Sequence, residues 1–162
     1  MTCARGCAVE LHDVREPGAA IGGASAVVLA ASVHLGRHEK EMAAFVKAHR
    51  DELGCVPTMF LSVSLSEASA EMRDRPAAAR AQAAAEVRGV IEQFFAATGF
   101  RATHAFPVAG ALQYRHYNWL IRFIMKRIAA TEGASTDTTR DHEYTDWAAL
   151  DAMAARFADE LH

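Results

Sequence analysis

"SAVVLAASVHLGRHEKEMAAFVKAHRDELGCVPTMFLSVSL", residues 25–65, is the stretch on which the fold turns. It opens on "SAVVLAAS" (25–32) and closes on "PTMFLSVSL" (57–65), two apolar runs of strand length. Between them, Glu39 to Leu53 carries Met42, Phe45, Val46 and Leu53 on one helical face, and Gly54 stops the pattern. A strand, a helix and a second strand in so short a span make the crossover that joins parallel strands.

The same alternation extends in both directions. "CAVELHDV" (7–14) and "THAFPVAGAL" (103–112) read as further strands. A helix is expected from about Pro76, a favoured first-turn residue, to Thr98, with Val87, Val90, Ile91, Phe94 and Phe95 as its buried stripe and Gly99 at its end. Another starts near Thr145 or Asp146 and turns Trp147, Leu150, Ala154, Phe157 and Leu161 inward. The expectation is an α/β chain: a three-layer sandwich whose parallel sheet is covered on both faces.

At 162 residues the chain fits a single domain, 1–162, large enough for a core without disulfides. Cys3, Cys7 and Cys55 form no C-x-x-C and are odd in number, so reduced thiols are expected. Cys55, at a helix-to-strand turn, reads as structural. The N-terminus has no signal-peptide core, and the uncharged run from Ala19 to Val33 is broken by glycines and too short to span a bilayer. The chain therefore reads as cytoplasmic.

Net charge is −3, but the charges are unevenly spread. From Gln93 to Thr131 there is no Asp or Glu, while Arg101, Arg115, Arg122, Lys126 and Arg127 fall there. That asymmetry points to an anionic partner on one side of the molecule. If Trp119 to Ala130 is helical, Leu120, Phe123, Ile124 and Ile128 share a face and Arg122 and Lys126 lie on another, with Tyr117 and Trp119 beside them. This is the layout of a helix lying in a membrane interface, and equally that of a helix packed on its own domain with solvated charges.

In open parallel sheets, ligands bind beyond the carboxyl ends of the strands. The loops leaving those ends are "SVHLGRH" (32–38), "SLSEASAEMRDR" (64–75) and "GALQYRHYN" (110–118). They carry a pattern: "AASVHLGRHEKEMAAFVKAH", then "PTMFLSVSL", then "AGALQYRHYNWLIRFIMKRI" followed by "STDTTRDHEYTDW" resembles the bacterial menaquinone-dependent protoporphyrinogen IX dehydrogenases, a flavodoxin-like family. The most specific pieces are A-G-A-L-x-Y-x-x-Y-x-W and T-D-T…Y-T-D-W, which ordinary flavodoxins lack.

The resemblance implies a flavodoxin-like fold binding FMN and oxidising protoporphyrinogen IX to protoporphyrin IX, with electrons passed to menaquinone or another membrane quinone. It also implies peripheral attachment to the anionic inner face of the cell membrane. By matching positions, Ser32, Val33, His34, Leu35 and Gly36 form one flavin-side loop, Ser62, Val63, Ser64 and Leu65 the next, and Gly110 and the turn Thr136-Asp137-Thr138 lie close by. Arg115, Tyr117, Trp119, Arg122 and Lys126 suit a flat tetrapyrrole edged with carboxylates, or a lipid surface. A flavodoxin opens with a strand, a phosphate-binding loop and a helix. Their counterparts are missing here, and the missing strand belongs between 7–14 and 25–32 in a 2-1-3-4-5 order. No G-x-G-x-x-G and no G-K-S/T replaces the phosphate loop.

Other chemistry is poorly served. His34 and His38 are four apart, but Gly36 between them suggests a loop and no third ligand is nearby, so no metal is expected. His34 reads as closing the flavin loop or as a surface histidine. Ser32, Ser62 and Ser64 lack a G-x-S-x-G elbow, and no catalytic acid or base is assigned. No nucleic-acid partner is expected; homo-oligomerisation stays open. Two alternatives stand beside the first reading: a flavodoxin-like quinone reductase or electron-transfer protein with another substrate, and a flavin-free interaction module.

Overall fold

The computed structural model describes residues 7–72, 74–112 and 142–161. In chain order the elements are β1 (Val27–His34), β2 (Arg37–His38), α1 (Lys40–Ala48), α2 (Arg50–Leu53), β3 (Thr58–Ser64), α3 (Leu65–Glu71), α4 (Ala77–Thr98), β4 (His104–Ala109), β5 (Ala111–Leu112), β6 (His142–Glu143) and α5 (Trp147–Asp159). β1, β3 and β4 are parallel, β2 folds back antiparallel on the outer edge of β1, and β5 pairs with β6 in a separate antiparallel ribbon. The α/β class expected from the crossovers is what forms, with the parallel strands that the resemblance to flavodoxin-like proteins implies.

Register decides which side chain meets which helix. Leu29 lies opposite Phe60, and Phe60 opposite Ala105, so Leu29, Ala31, Phe60 and Ser62 look toward α1 and α4. Val28, Ala30, Met59, Leu61, His104 and Phe106 look the other way, where Phe157 of α5 meets the His104 ring at 5.9 Å. β3, between two parallel neighbours, is buried on both faces, whereas the outward side of β1 leaves Val28 half exposed.

The core on the α1/α4 side is aromatic. Phe60 and Phe94 stack at 4.7 Å, Phe95 tilts against Phe60 at 5.5 Å, and Leu29, Met42, Val46, Leu53, Val87 and Ile91 close around them. A fourth ring joins the cluster: His38 sits edge-on to both Phe60 (5.1 Å) and Phe94 (4.9 Å). Its Nε2 lies 2.9 Å from Ser62 Oγ, and among the described residues its Nδ1 is buried without a partner. Burial alone drives its pKa down, to about 4.

Four expectations need correction. Residues 7–14 form no strand; Ala8 makes a single bridge, since an extended segment needs a ladder partner along its length and none is described. The helix expected over 39–53 breaks at His49 (φ −109°, ψ 18°) into α1 and α2, though Met42, Val46 and Leu53 are buried as read and Phe45 is half-buried against them. The loop after β3 is helical from Leu65, because the Ser64 hydroxyl accepts the Glu67 N–H (3.1 Å) and caps α3. On α5, capped by Asp146 as expected, Trp147 and Ala154 face solvent; the inward stripe is Leu150, Met153 and Phe157, which are three and four residues apart. Cys55 is exposed, and its thiol donates to the Asp51 carbonyl (3.2 Å) in the turn after α2 where it was placed from sequence. α4 buries Val87, Ile91, Phe94 and Phe95 as read, and Gly99 ends it in the left-handed region at φ 67°.

Two predictions follow from this core. Phe94→Ala removes one ring of the stack and lowers the unfolding free energy by about 3–5 kcal/mol; a loss under about 1 kcal/mol in urea denaturation would show that the stack is not the centre of the core. His38 has a folded pKa of about 4 against an ordinary 6.5, so between those values the unfolded chain binds a proton that the folded chain refuses. Its contribution is present in full above about pH 6.5 and is lost as pH falls through the window, of the order of 2 kcal/mol after allowance for partial solvent screening. Denaturation of the parent and His38→Phe at pH 7 and pH 4.5 isolates that difference; equal slopes would refute it.

Candidate functional site

Parallel pairing puts the carboxyl ends of β1, β3 and β4 at one end of the sheet. Ser32 lies opposite Val63 and Ser64 opposite Ala109, and the Gly110 N–H carries the ladder one step further to the Ser64 carbonyl (3.0 Å). Residues 32–36, 62–65 and 110, far apart in sequence, therefore meet there.

The first loop is a two-residue hairpin turn. His34 pairs with Arg37 and Val33 with His38, leaving Leu35 (φ 51°) and Gly36 (φ 74°) as the central residues. Two positive φ values match the right-handed twist of a hairpin. Gly36 adopts that conformation freely; Leu35 holds it at a cost of about 1 kcal/mol or more. Its side chain is nonetheless 91 % exposed, an apolar group held out at the turn tip. His34 is exposed beside it, with Nε2 3.6 Å from Glu39 Oε1.

The second loop is turned mostly inward. Ser62 is fully buried, and its hydroxyl is engaged by His38. Ser64 is buried and caps α3. Val63 and Leu65 are half-buried, and Val63 Cγ1 would lie 3.2 Å from a Cβ added at Gly110. Gly110 thus lets the third loop cross close over the end of β3.

The two most specific sequence motifs meet at this end. β5 begins one residue after Gly110, with Ala111 opposite Glu143 and Leu112 opposite His142. The Thr145 hydroxyl donates to the Ala109 carbonyl (2.8 Å), tying the start of α5 to the tip of β4. "AGAL" is therefore joined to the residues just before "YTDW" by the ribbon and to Thr145 by this bond, and Trp147, 59 % exposed, begins α5 beside them. From sequence Thr145 was read only as a possible helix start; its bond to the tip of β4 becomes visible only with the β5–β6 ribbon, which pairs Leu112 with His142 and Ala111 with Glu143.

Acidic groups gather beside this end as well. Burial raises the Glu67 pKa, reinforced by Glu71 and opposed by Arg88; burial and then Asp146 raise that of Glu71. A groove of about 420 Å³ runs from Glu67 past Arg88 and Phe95 to Arg101, which stands 5.0 Å over the Phe95 ring and pairs with Glu92. No group of three His, Cys, Asp or Glu side chains among the described residues could hold a metal ion. His34 and His38 diverge, one into solvent and one into the aromatic core. Arg115, Tyr117, Trp119, Arg122, Lys126, Thr136, Asp137 and Thr138 lie outside the described residues. Among the described residues no helix is long and apolar enough to cross a membrane.

A flavodoxin domain model matches residues 2–139. Among curated proteins, the protoporphyrinogen IX dehydrogenase (quinone) of Escherichia coli strain K12 is 31 % identical over 135 residues, 83 % of this chain and 67 % of its own length. Its counterpart in Leishmania major is 30 % identical over 132 residues, 82 % of this chain and 53 % of its own length. No solved structure matches the chain. The match spans β1 to β5, α1 to α4 and the three loops, and with the sheet observed it places the chain in the flavodoxin domain family, among relatives of the quinone-linked protoporphyrinogen IX dehydrogenases.

Proposed function

We propose that the chain is an FMN-dependent oxidoreductase that converts protoporphyrinogen IX to protoporphyrin IX and passes the electrons to a membrane quinone. The observation that supports this best is the convergence of the three strand-end loops with the "YTDW" segment, in relatives of enzymes that carry this activity in their names. When bound, FMN would supply the electron transfer between porphyrinogen and quinone.

The residues fit the ring half of that cofactor. Leu35 presents an apolar side chain beyond the strand ends, Ser32 is half-buried beside Val63, and Gly110 offers a backbone without a Cβ. Val33, His34 and Gly36 complete the first loop, and Val63 and Leu65 the surface of the second. Ser62 and Ser64 serve from beneath, since their hydroxyls are already engaged. Thr136, Asp137 and Thr138 join this set by their positions in the sequence. No glycine-rich phosphate loop occurs among the described residues, so phosphate binding is the weaker half of the fit.

Substrate and membrane contacts fall to the acid-free segment. Arg115, Arg122 and Lys126 suit the carboxylates of the tetrapyrrole or anionic headgroups, and Tyr117 and Trp119 an interfacial position. The protein then works at the inner face of the cell membrane without spanning it, where a quinone dissolved in lipid is within reach.

Purified chain titrated with FMN is expected to show a bound-flavin spectrum near one-to-one stoichiometry and to oxidise protoporphyrinogen IX with a menaquinone analogue. Flavin reduction by a nicotinamide donor with no response to protoporphyrinogen would replace the substrate, and a colourless protein would refute the cofactor. Arg122→Glu combined with Lys126→Glu is expected to weaken retention on anionic vesicles by at least about tenfold. Unchanged retention and unchanged quinone-linked turnover would remove the membrane from the proposal.

A further inference from the structure

His38, considered from sequence only as half of a metal pair, is the most unusual side chain near the strand ends. It belongs to the hairpin that carries Leu35, and its ring reaches the aromatic core. The hairpin is otherwise lightly held. β2 is two residues long, His34, Leu35, Gly36 and Arg37 are all exposed, and no Cβ added at Gly36 would meet anything within 4 Å. Leu35 is in the left-handed region, a conformation that an unrestrained leucine leaves. Something must oppose that relaxation, and the structure offers the ring of His38, wedged against Phe60 and Phe94 and bonded to Ser62 at 2.9 Å.

We infer that His38 is the positioning residue of the 32–36 loop: its anchorage to Ser62 and the Phe60–Phe94 stack holds the Leu35–Gly36 turn in its strained form beyond the strand ends. This inference rests on the proposed function in one respect, that the turn faces the flavin. The anchoring itself is independent of any ligand. Ser62 thereby acts on the loop from below, which explains why a serine at a strand end is wholly buried. An apolar residue at position 38 would pack as well but would lack the bond that fixes the depth of the ring, and so the placement of the turn that ends two residues before it.

The surfaces facing the ring are Phe60 and Ser62 of β3 and Phe94 of α4, none of which titrates in the acid range. Its own hairpin contributes Arg37, and the neighbouring Glu39 is drawn to His34. Loss of the anchor on protonation would therefore be read at His38 itself.

The test uses the full chain as parent, His38→Phe and His38→Gln. Phenylalanine keeps the aromatic packing without the bond, and the glutamine amide reaches the Ser62 hydroxyl. Amide hydrogen exchange at residues 33–37 is measured with and without FMN, alongside FMN affinity. In His38→Phe the 33–37 amides are expected to exchange about tenfold faster while those of β3 and α4 keep their protection, and FMN affinity to fall about tenfold. His38→Gln should bring both within about threefold of the parent. Unchanged exchange at 33–37 in His38→Phe, or acceleration spread evenly over β3 and α4, would overturn the inference. A parent that binds no FMN but shows the local acceleration refutes the cofactor reading and leaves the anchor standing; FMN binding that is equal in all three proteins, with unchanged exchange, does the reverse.

Discussion

Everything at the candidate site depends on one constraint, the parallel pairing of β1, β3 and β4 in a single register. Because Ser32, Val63 and Val108 fall at the same level of the ladder, three loops separated by up to some eighty residues of sequence must leave the sheet together. Shifting β3 by one residue would turn Phe60 out of the aromatic core and Met59 into it. The stack of Phe60 on Phe94 therefore fixes the site as well as the core. It sets the register from which the loops are aimed, and His38 carries that setting out to the hairpin.

Much of this was visible in the residues, for physical reasons that differ by element. Strands 27–34, 58–64 and 104–109 and the helices at 40–53 and 77–98 declared themselves because burial on one or two faces imposes a period on the apolar residues. The placement of the loops followed from the class of sheet. Residues 7–14 misled because alternation of side chains encodes a willingness to pair, while a strand also needs a neighbour. α3 was hidden because its short run, "LSEASAE", has too little apolar periodicity; the capping Ser64 was the available signal, read there as a strand-end serine instead. Trp147 was assigned inward on hydrophobicity alone, whereas the face of α5 is decided by Leu150, Met153 and Phe157.

The role of His38 was illegible for a different reason. Its partners, Ser62, Phe60 and Phe94, are 22 to 56 residues distant, and nothing local marks it. In sequence it offered at most half of a metal pair with His34, a reading that Gly36 between them and the lack of a third ligand argued against. In a two-residue hairpin the same spacing sends the two side chains to different neighbours, one to Glu39 and solvent, the other to the core. A buried imidazole with a depressed pKa would more often suggest a proton carrier. Here the atoms around it are hydrocarbon and one hydroxyl, so its environment favours a fixed neutral ring over proton exchange.

The outer edge of β1 shows where the fold is least complete among the described residues. The Val27 N–H is bonded to the Pro57 carbonyl on the β3 side, and in a parallel ladder alternate residues point their amides the opposite way. Val28, Ala30 and Ser32 therefore direct their backbone groups outward, where β2 covers only residues 33 and 34. An open cleft of about 480 Å³ separates Ala30 and Met42 from the segment 11–16 across the same edge. Parallel strands are ordinarily buried on both faces, so the half-exposed Val28 is a physical measure of missing cover. That edge adjoins Ser32 and the Leu35 turn, and whatever pairs with it would stiffen the hairpin from outside as His38 does from within. The ring side of the site is thus braced by the core, while along the outer side of β1 the only described partner strand is β2.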